Sequence, residues 1–318
     1  MTNNTYTSDK RSNSKIYYPY RWYLLSIILI SLIDFILLIK YKWQISAKGI
    51  IPGVFFIAII AAPLLLKRYN QNPKIKNALA CCTLLIIFSL CTLVFDYFVI
   101  STNAPNIDSW LSTVDRFFGF DWPNVILWAQ RKPIFSLILI FAYSSFMPQA
   151  SVVIIHLSFT GRLRQLTEFN TIFIITNLIT IIFSGFFPAA GPGKYYQGLV
   201  HVDLSGISQL EPLRDGTLRT IDLAHLQGLV SIPSFHTIMA ILLTYSMRHT
   251  KMRWIFLILN ITMLVSIPIC GEHYLTDMIG GVITVALVIA GWYFVAYMRD
   301  RASPGTLNAF TLDSGETS

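Results

Sequence analysis

Eight apolar runs constrain this chain more than any other feature. They cover residues 22–39, 50–66, 78–100, 134–158, 169–187, 232–248, 252–270 and 276–298. About 20 apolar residues in a helix cross the hydrocarbon core of a bilayer. Inside lipid, only a helix or a closed barrel satisfies every backbone polar group. Only 13% of the residues are charged, against about 25% in a soluble domain. The expected fold class is therefore an all-α polytopic membrane protein with about eight transmembrane helices. Aromatic residues, at 14%, suit the interfacial belts of such a protein.

Loop charge orients the spans. With the N-terminus inside, the inner segments hold fifteen of the 24 lysines and arginines, among them Lys67, Arg68, Lys74, Lys76, Arg162, Arg164, Arg248 and Arg253. The outer segments hold the other nine, among them Lys40, Lys42, Lys48, Arg116 and Arg131. This bias predicts cytoplasmic termini in a plasma or inner membrane. The net charge of +8 does not point to nucleic acid, because the basic residues lie in short clusters between apolar runs.

The expected organisation has four parts: a disordered cytoplasmic N-terminus over 1–21, two accessory transmembrane helices over 22–77, a six-span unit over 78–301, and a disordered cytoplasmic tail over 302–318. The first run reads as an uncleaved anchor. Residues 107–130, with Trp110, Phe117, Phe118, Trp122 and Trp128, read as an amphipathic segment in the outer interface. Polar groups from Tyr143 to Gln149 interrupt the fourth run and read as hydrogen bonds between helices. The four cysteines, Cys81, Cys82, Cys91 and Cys270, show no disulfide or metal spacing.

Two short segments carry chemistry. Pro233-Ser234-Phe235-His236-Thr237 opens one apolar run, and Gly271-Glu272-His273-Tyr274-Leu275-Thr276-Asp277 opens another. His273 and Asp277, at i and i+4, share one helical face. A histidine whose Nδ1 proton is held by an aspartate keeps Nε2 free as a nucleophile. His236 is placed to act as general acid and then base. Ser231 reads as the N-cap of the His236 helix, with Pro233 in its first turn. Ser234 adds a hydroxyl, and a helix N-terminus suits an anion. The spans put His236, His273 and Asp277 in one outer layer. The expected chemistry is metal-independent and needs no cofactor.

These residues resemble a family. Pro233-Ser234-Phe235-His236, followed by Gly271-x-His273-Tyr274-x-x-Asp277, looks like the second and third signatures of the type-2 phosphatidic acid phosphatase superfamily. The wording Pro-Ser-Phe-His and the loop Ala190-Gly191-Pro192 are most similar to the branch resembling inositol phosphorylceramide synthase. The resemblance covers roughly residues 78–298. It implies a six-helix phosphatase-like core, with His273 as nucleophile, Asp277 as its partner and His236 as acid.

Two features depart from the pattern. The common first signature, Lys-x-x-x-x-x-x-Arg-Pro, is not found. In the third, Ser266 keeps the serine place, but Ile267 stands where an arginine is usual. Lys194, Arg214 and Arg219 are the only basic residues in the long outer loop 188–231, and they are expected to meet the phosphate charge.

The resulting expectation is a membrane-embedded lipid phosphate phosphatase that works through a phosphohistidine at the outer face. A phosphotransferase that moves a phospho-headgroup of the inositol phosphate type onto a lipid alcohol is the alternative. A transporter is the rival from another class; the grouping of the ionisable residues at one interface, rather than along a path, speaks against it. The expected partners are a lipid phosphate and the bilayer, with no nucleic acid.

Overall fold

The computed structural model describes residues 20–301. The tail expected over 302–318 and most of the N-terminal segment expected over 1–21 lie outside the described residues. Within them the chain is helical almost throughout. The helices are α1 (Arg21–Tyr41), α2 (Ala47–Ala61), α3 (Lys67–Asn70), α4 (Pro73–Ile100), α5 (Asp108–Phe117), α6 (Trp122–Gln130), α7 (Pro133–Ser144), α8 (Phe146–Phe159), α9 (Leu163–Phe186), α10 (Pro192–Tyr195), α11 (Leu210–Arg214), α12 (Phe235–Ser246), α13 (Arg253–Cys270) and α14 (Leu275–Arg301).

The chain is an integral membrane protein. Six helices among the described residues are long and apolar enough to cross a bilayer, or seven if the bent pair α6 and α7 counts as one span. This is fewer than the eight runs expected, for two reasons. The run 134–158 is broken at Ser144 and Ser145 into α7 and α8. In the run 232–248, Ile232, Pro233 and Ser234 stay outside the helix, so α12 has only 12 residues, about 18 Å at 1.5 Å per residue. α6 and α7 meet at 114°, with Pro133 opening α7.

The core runs along α4, α8, α9, α12 and α14, through residues such as Phe88, Ile154, Phe173, Leu242 and Val285. Tyr23 and Ile30 of α1 belong to it, so the first accessory helix is part of the packed bundle rather than an appendage. Its outward side, including Ile28, Leu29 and Phe35, is exposed, as lipid-facing residues of a bundle are.

At one end of the bundle a second cluster joins Trp43, Tyr97, Phe98, Leu213, Ile221 and Leu229. There a two-residue parallel pair links β1 (Gln44–Ile45) to β2 (Thr220–Ile221). The turn between the accessory helices is thereby fastened to the long loop. Arg219 lies over the Trp43 ring, 5.2 Å from its centroid. At the opposite end Arg248 pairs with Glu168 at 3.1 Å, and the Tyr245 hydroxyl donates to the same carboxylate.

Candidate active site

The two motifs meet where α12 and α14 begin. Ser234, rather than Ser231, is the N-cap of α12: its hydroxyl oxygen accepts from the Thr237 amide at 3.4 Å. The Ser231 hydroxyl instead donates to Asp277 Oδ2 at 3.1 Å. The Ser234 amide donates to the Asp277 carbonyl at 2.9 Å, which ties one motif to the other. Small residues permit this approach. A Cβ on Gly281 would lie 2.7 Å from the Ser234 carbonyl oxygen, closer than real Cβ contacts.

His273 Nδ1 lies 3.3 Å from Asp277 Oδ2, and the Tyr274 amide donates to the same oxygen at 3.1 Å. Asp277 is fully buried and His273 nearly so. An Nδ1–H donated to the carboxylate leaves Nε2 as the open ring nitrogen. The His236 ring stands 6.4 Å from that of His273, centroid to centroid. It stacks on Tyr143 at 3.9 Å and meets the edge of Phe146 at 4.7 Å. Its Nε2 is buried without a hydrogen-bond partner. Two imidazoles, one oriented and one with an uncommitted nitrogen, thus face a common space.

That space is a cavity of about 500 Å³, lined by both imidazoles, Tyr143, Glu272 and the Ala189–Gly191 turn at one end. Asp96, Asn177 and Thr180 line another part of it. Among the described residues no lysine or arginine lines it. The three loop cations lie elsewhere. Arg214 donates to the Ala104 carbonyl at 2.8 Å, while its Nη1 is buried without a partner. Arg219 covers Trp43, and Lys194 borders a separate cleft beside Ile207 and Glu211. Ser234 is buried in its capping role. Ile267 and Ser266 are both fully buried; the Ser266 hydroxyl donates to the Met263 carbonyl at 2.6 Å. Among the described residues no group of three or more His, Cys, Asp or Glu side chains is placed to hold a metal ion.

Several site residues escaped sequence reasoning. Tyr143 falls in the polar interruption that reads as interhelical bonding, yet it walls the cavity against His236. Gln149 and Ser145 do bond locally. Glu272 lies between the two motif positions, with its backbone in the left-handed region at φ 49°. Burial, then the neighbouring Asp203 carboxylate, pushes its carboxyl from 4.5 up to about 6, and His273 pulls it the other way. Asp108 and Asp115 of α5 turn inward, with Trp110 and Phe117 outward. Their i, i+7 spacing on one helical face was the available signal.

No curated protein and no solved structure matches the chain. A family model described as the PAP2 superfamily matches residues 109–291, a segment that begins at α5, ends within α14 and contains both histidines and Asp277. With more than half of its length under that match, the chain belongs to the PAP2 superfamily.

Proposed function

We propose that this protein is a lipid phosphate phosphatase whose nucleophile is His273, working at the outer face of the membrane. Family membership supports phosphatase-type action on a phosphorylated lipid. The observation that carries the finer reading is the Asp277–His273 pair, at 3.3 Å, opposite the uncommitted His236 Nε2 in one cavity.

In the proposed reaction, His273 Nε2 attacks phosphorus and the bond from phosphorus to the ester oxygen breaks. His236 gives its proton to the departing oxygen, and Asp277 stabilises the charge that develops on His273. Water, deprotonated by His236, then attacks the phosphohistidine; phosphate leaves and His273 is restored. Arg214, Arg219 and Lys194, which the sequence offers for the phosphate charge, do not line the cavity and are given no part in this step.

His273→Ala should abolish turnover while the protein still folds and inserts. A 32P-labelled lipid phosphate should label the wild type transiently, through an acid-labile, base-stable bond. Turnover within threefold of wild type in the variant would remove His273 from the nucleophile role.

One observation favours the transfer reading. Both oxygens of Asp96, Asn177 Oδ1 and Thr180 Oγ1 are buried without hydrogen-bond partners and their side chains line the same cavity. Uncompensated buried polar groups are costly, and hydroxyls of a polyol headgroup would satisfy them. The product separates the two reactions: free phosphate marks hydrolysis, and a new headgroup-bearing lipid marks transfer.

A further inference from the structure

α5 is amphipathic in an unusual sense. Its aromatic side faces outward, and its two aspartates point into the protein toward the segment that carries His273. Asp115 is buried and takes three hydrogen bonds from the start of α14. The Leu275 and Thr276 amides each donate at 2.8 Å, and the Thr276 hydroxyl donates at 2.6 Å. These are amides that a helix start leaves unpaired. Here a carboxylate on another helix, 160 residues away, caps them.

Asp108 works one turn pair earlier. It accepts from the Ala190 and Gly191 amides at 3.0 Å each and from the Tyr274 hydroxyl at 3.1 Å. The two aspartates therefore grip Tyr274, Leu275 and Thr276, the three residues directly after His273. Asp108 also bolts the Ala190-Gly191 turn to them. That turn packs against the other side of the joint, where a Cβ on Gly191 would lie 3.0 Å from the Glu272 carbonyl oxygen.

The joint needs outside support. Residues 271–274 are non-helical, and the His273–Asp277 contact, at 3.3 Å, sits at the long end of hydrogen-bond geometry. A small rotation of the first turn of α14 separates the two side chains. We propose that Asp108 and Asp115 are positioning residues, which hold the start of α14 so that Asp277 keeps His273 in its Nδ1–H tautomer with Nε2 facing the cavity.

This rests on the reading of His273 as nucleophile, so the test has one arm that needs turnover and one that does not. The full chain, 15N-labelled at histidine and purified in detergent, reports the tautomer of His273, assigned by its loss in His273→Ala. Phosphatidate in mixed micelles reports kcat and KM. In Asp115→Asn and Asp108→Asn the His273 resonance should move toward a mixture of tautomers. kcat should fall by on the order of tenfold to a hundredfold, as expected for misplaced catalytic groups, with KM within threefold.

Should either aspartate variant fail to fold, Tyr274→Phe combined with Thr276→Val removes two of the hydroxyl contacts, keeps the amide contacts, and should shift the same resonance in the same direction. A melting temperature that drops while the tautomer stays at its wild-type value would reduce α5 to a structural brace and overturn the proposal. A wild type that is inert toward phosphatidate but loses its tautomer in Asp115→Asn would defeat the catalytic reading and leave the positioning role standing.

Discussion

Glu272 shows how one residue couples backbone, charge and site. A non-glycine residue in the left-handed region costs about 1 kcal/mol, and Glu272 is held there at φ 49°. Its carboxylate lies flat against Gly193, where a Cβ would come 1.8 Å from Oε2, so Gly193→Ala should displace it. Burial raises its pKa from 4.5 to about 6, so the fold favours the neutral form. The folded chain binds this proton more tightly than the unfolded chain does. The associated stability is full below 4.5 and is lost as pH rises through about 6. Glu272→Gln should therefore gain stability over wild type above that range, by about 1 kcal/mol once partial exposure is discounted, and show no gain below about pH 4. Ionised Glu272 also repels a phosphate in the same cavity. A limb of kcat/KM falling near pH 6 in wild type, absent from Glu272→Gln, is the expected profile, and identical profiles would remove Glu272 from the site's electrostatics.

At the scale of elements, the contact between α12 and α14 sets the geometry of both motifs. Gly281 is the residue that permits it, with Ser234 O at 2.7 Å and Thr237 Cβ at 2.9 Å from a notional Cβ. Gly291, on the same helix, would meet nothing within 4 Å. The two glycines thus form a matched pair for substitution. Gly281→Ala should force the helices apart, lower the melting temperature and cut turnover by about tenfold or more, since displacement on the scale of 1 Å is costly at a catalytic site. Gly291→Ala should be neutral or stabilising by up to about 1 kcal/mol, the helix-propensity difference between the two residues. Equal behaviour of the two variants would show that the α12–α14 approach tolerates a methyl group. Removing the cap of α12 with Ser234→Ala should cost about 1 kcal/mol, measurable as a shift in thermal unfolding.

For the whole molecule, the outstanding quantity is the direction in which the cavity faces. Every element of the site lies at the end of the bundle that holds Trp43, Leu229 and the 188–231 loop, and the fifteen-to-nine bias of basic residues is the ground on which we propose that this end faces outside. Leu199 is 71% exposed in this loop. With the four native cysteines replaced, Leu199→Cys should react with an impermeant thiol reagent added to intact cells. Reaction only after the membrane is broken would reverse the orientation and put the chemistry on the inner leaflet.

The sequence by itself determined the class of the fold and the two motifs that the structure brings together. Long apolar runs in lipid can only become helices, because no water is there to satisfy the backbone, and the four-residue spacing of His273 and Asp277 pairs them, although His273 itself stands just before α14. Both conclusions rest on local physics. What only the tertiary structure decided involves contacts between segments far apart in the chain. The break at Ser144–Ser145 falls within the polar interruption that the sequence shows, but its division of the run into two helices, and the shortening of α12, are seen only in the structure. The sequence reads Ser231 as the cap of the His236 helix; Asp277, brought from 46 residues away, claims that hydroxyl, and Ser234 caps the helix instead. Tyr143 faces His236, and Asp115 caps α14 across 160 residues, because α7 and α5 pack where they do. Arg214 and Arg219 look available for a phosphate in a linear reading, yet one binds the Ala104 carbonyl and the other stacks on Trp43. Such partners depend on three-dimensional proximity, and residue spacing along a chain carries no information about it.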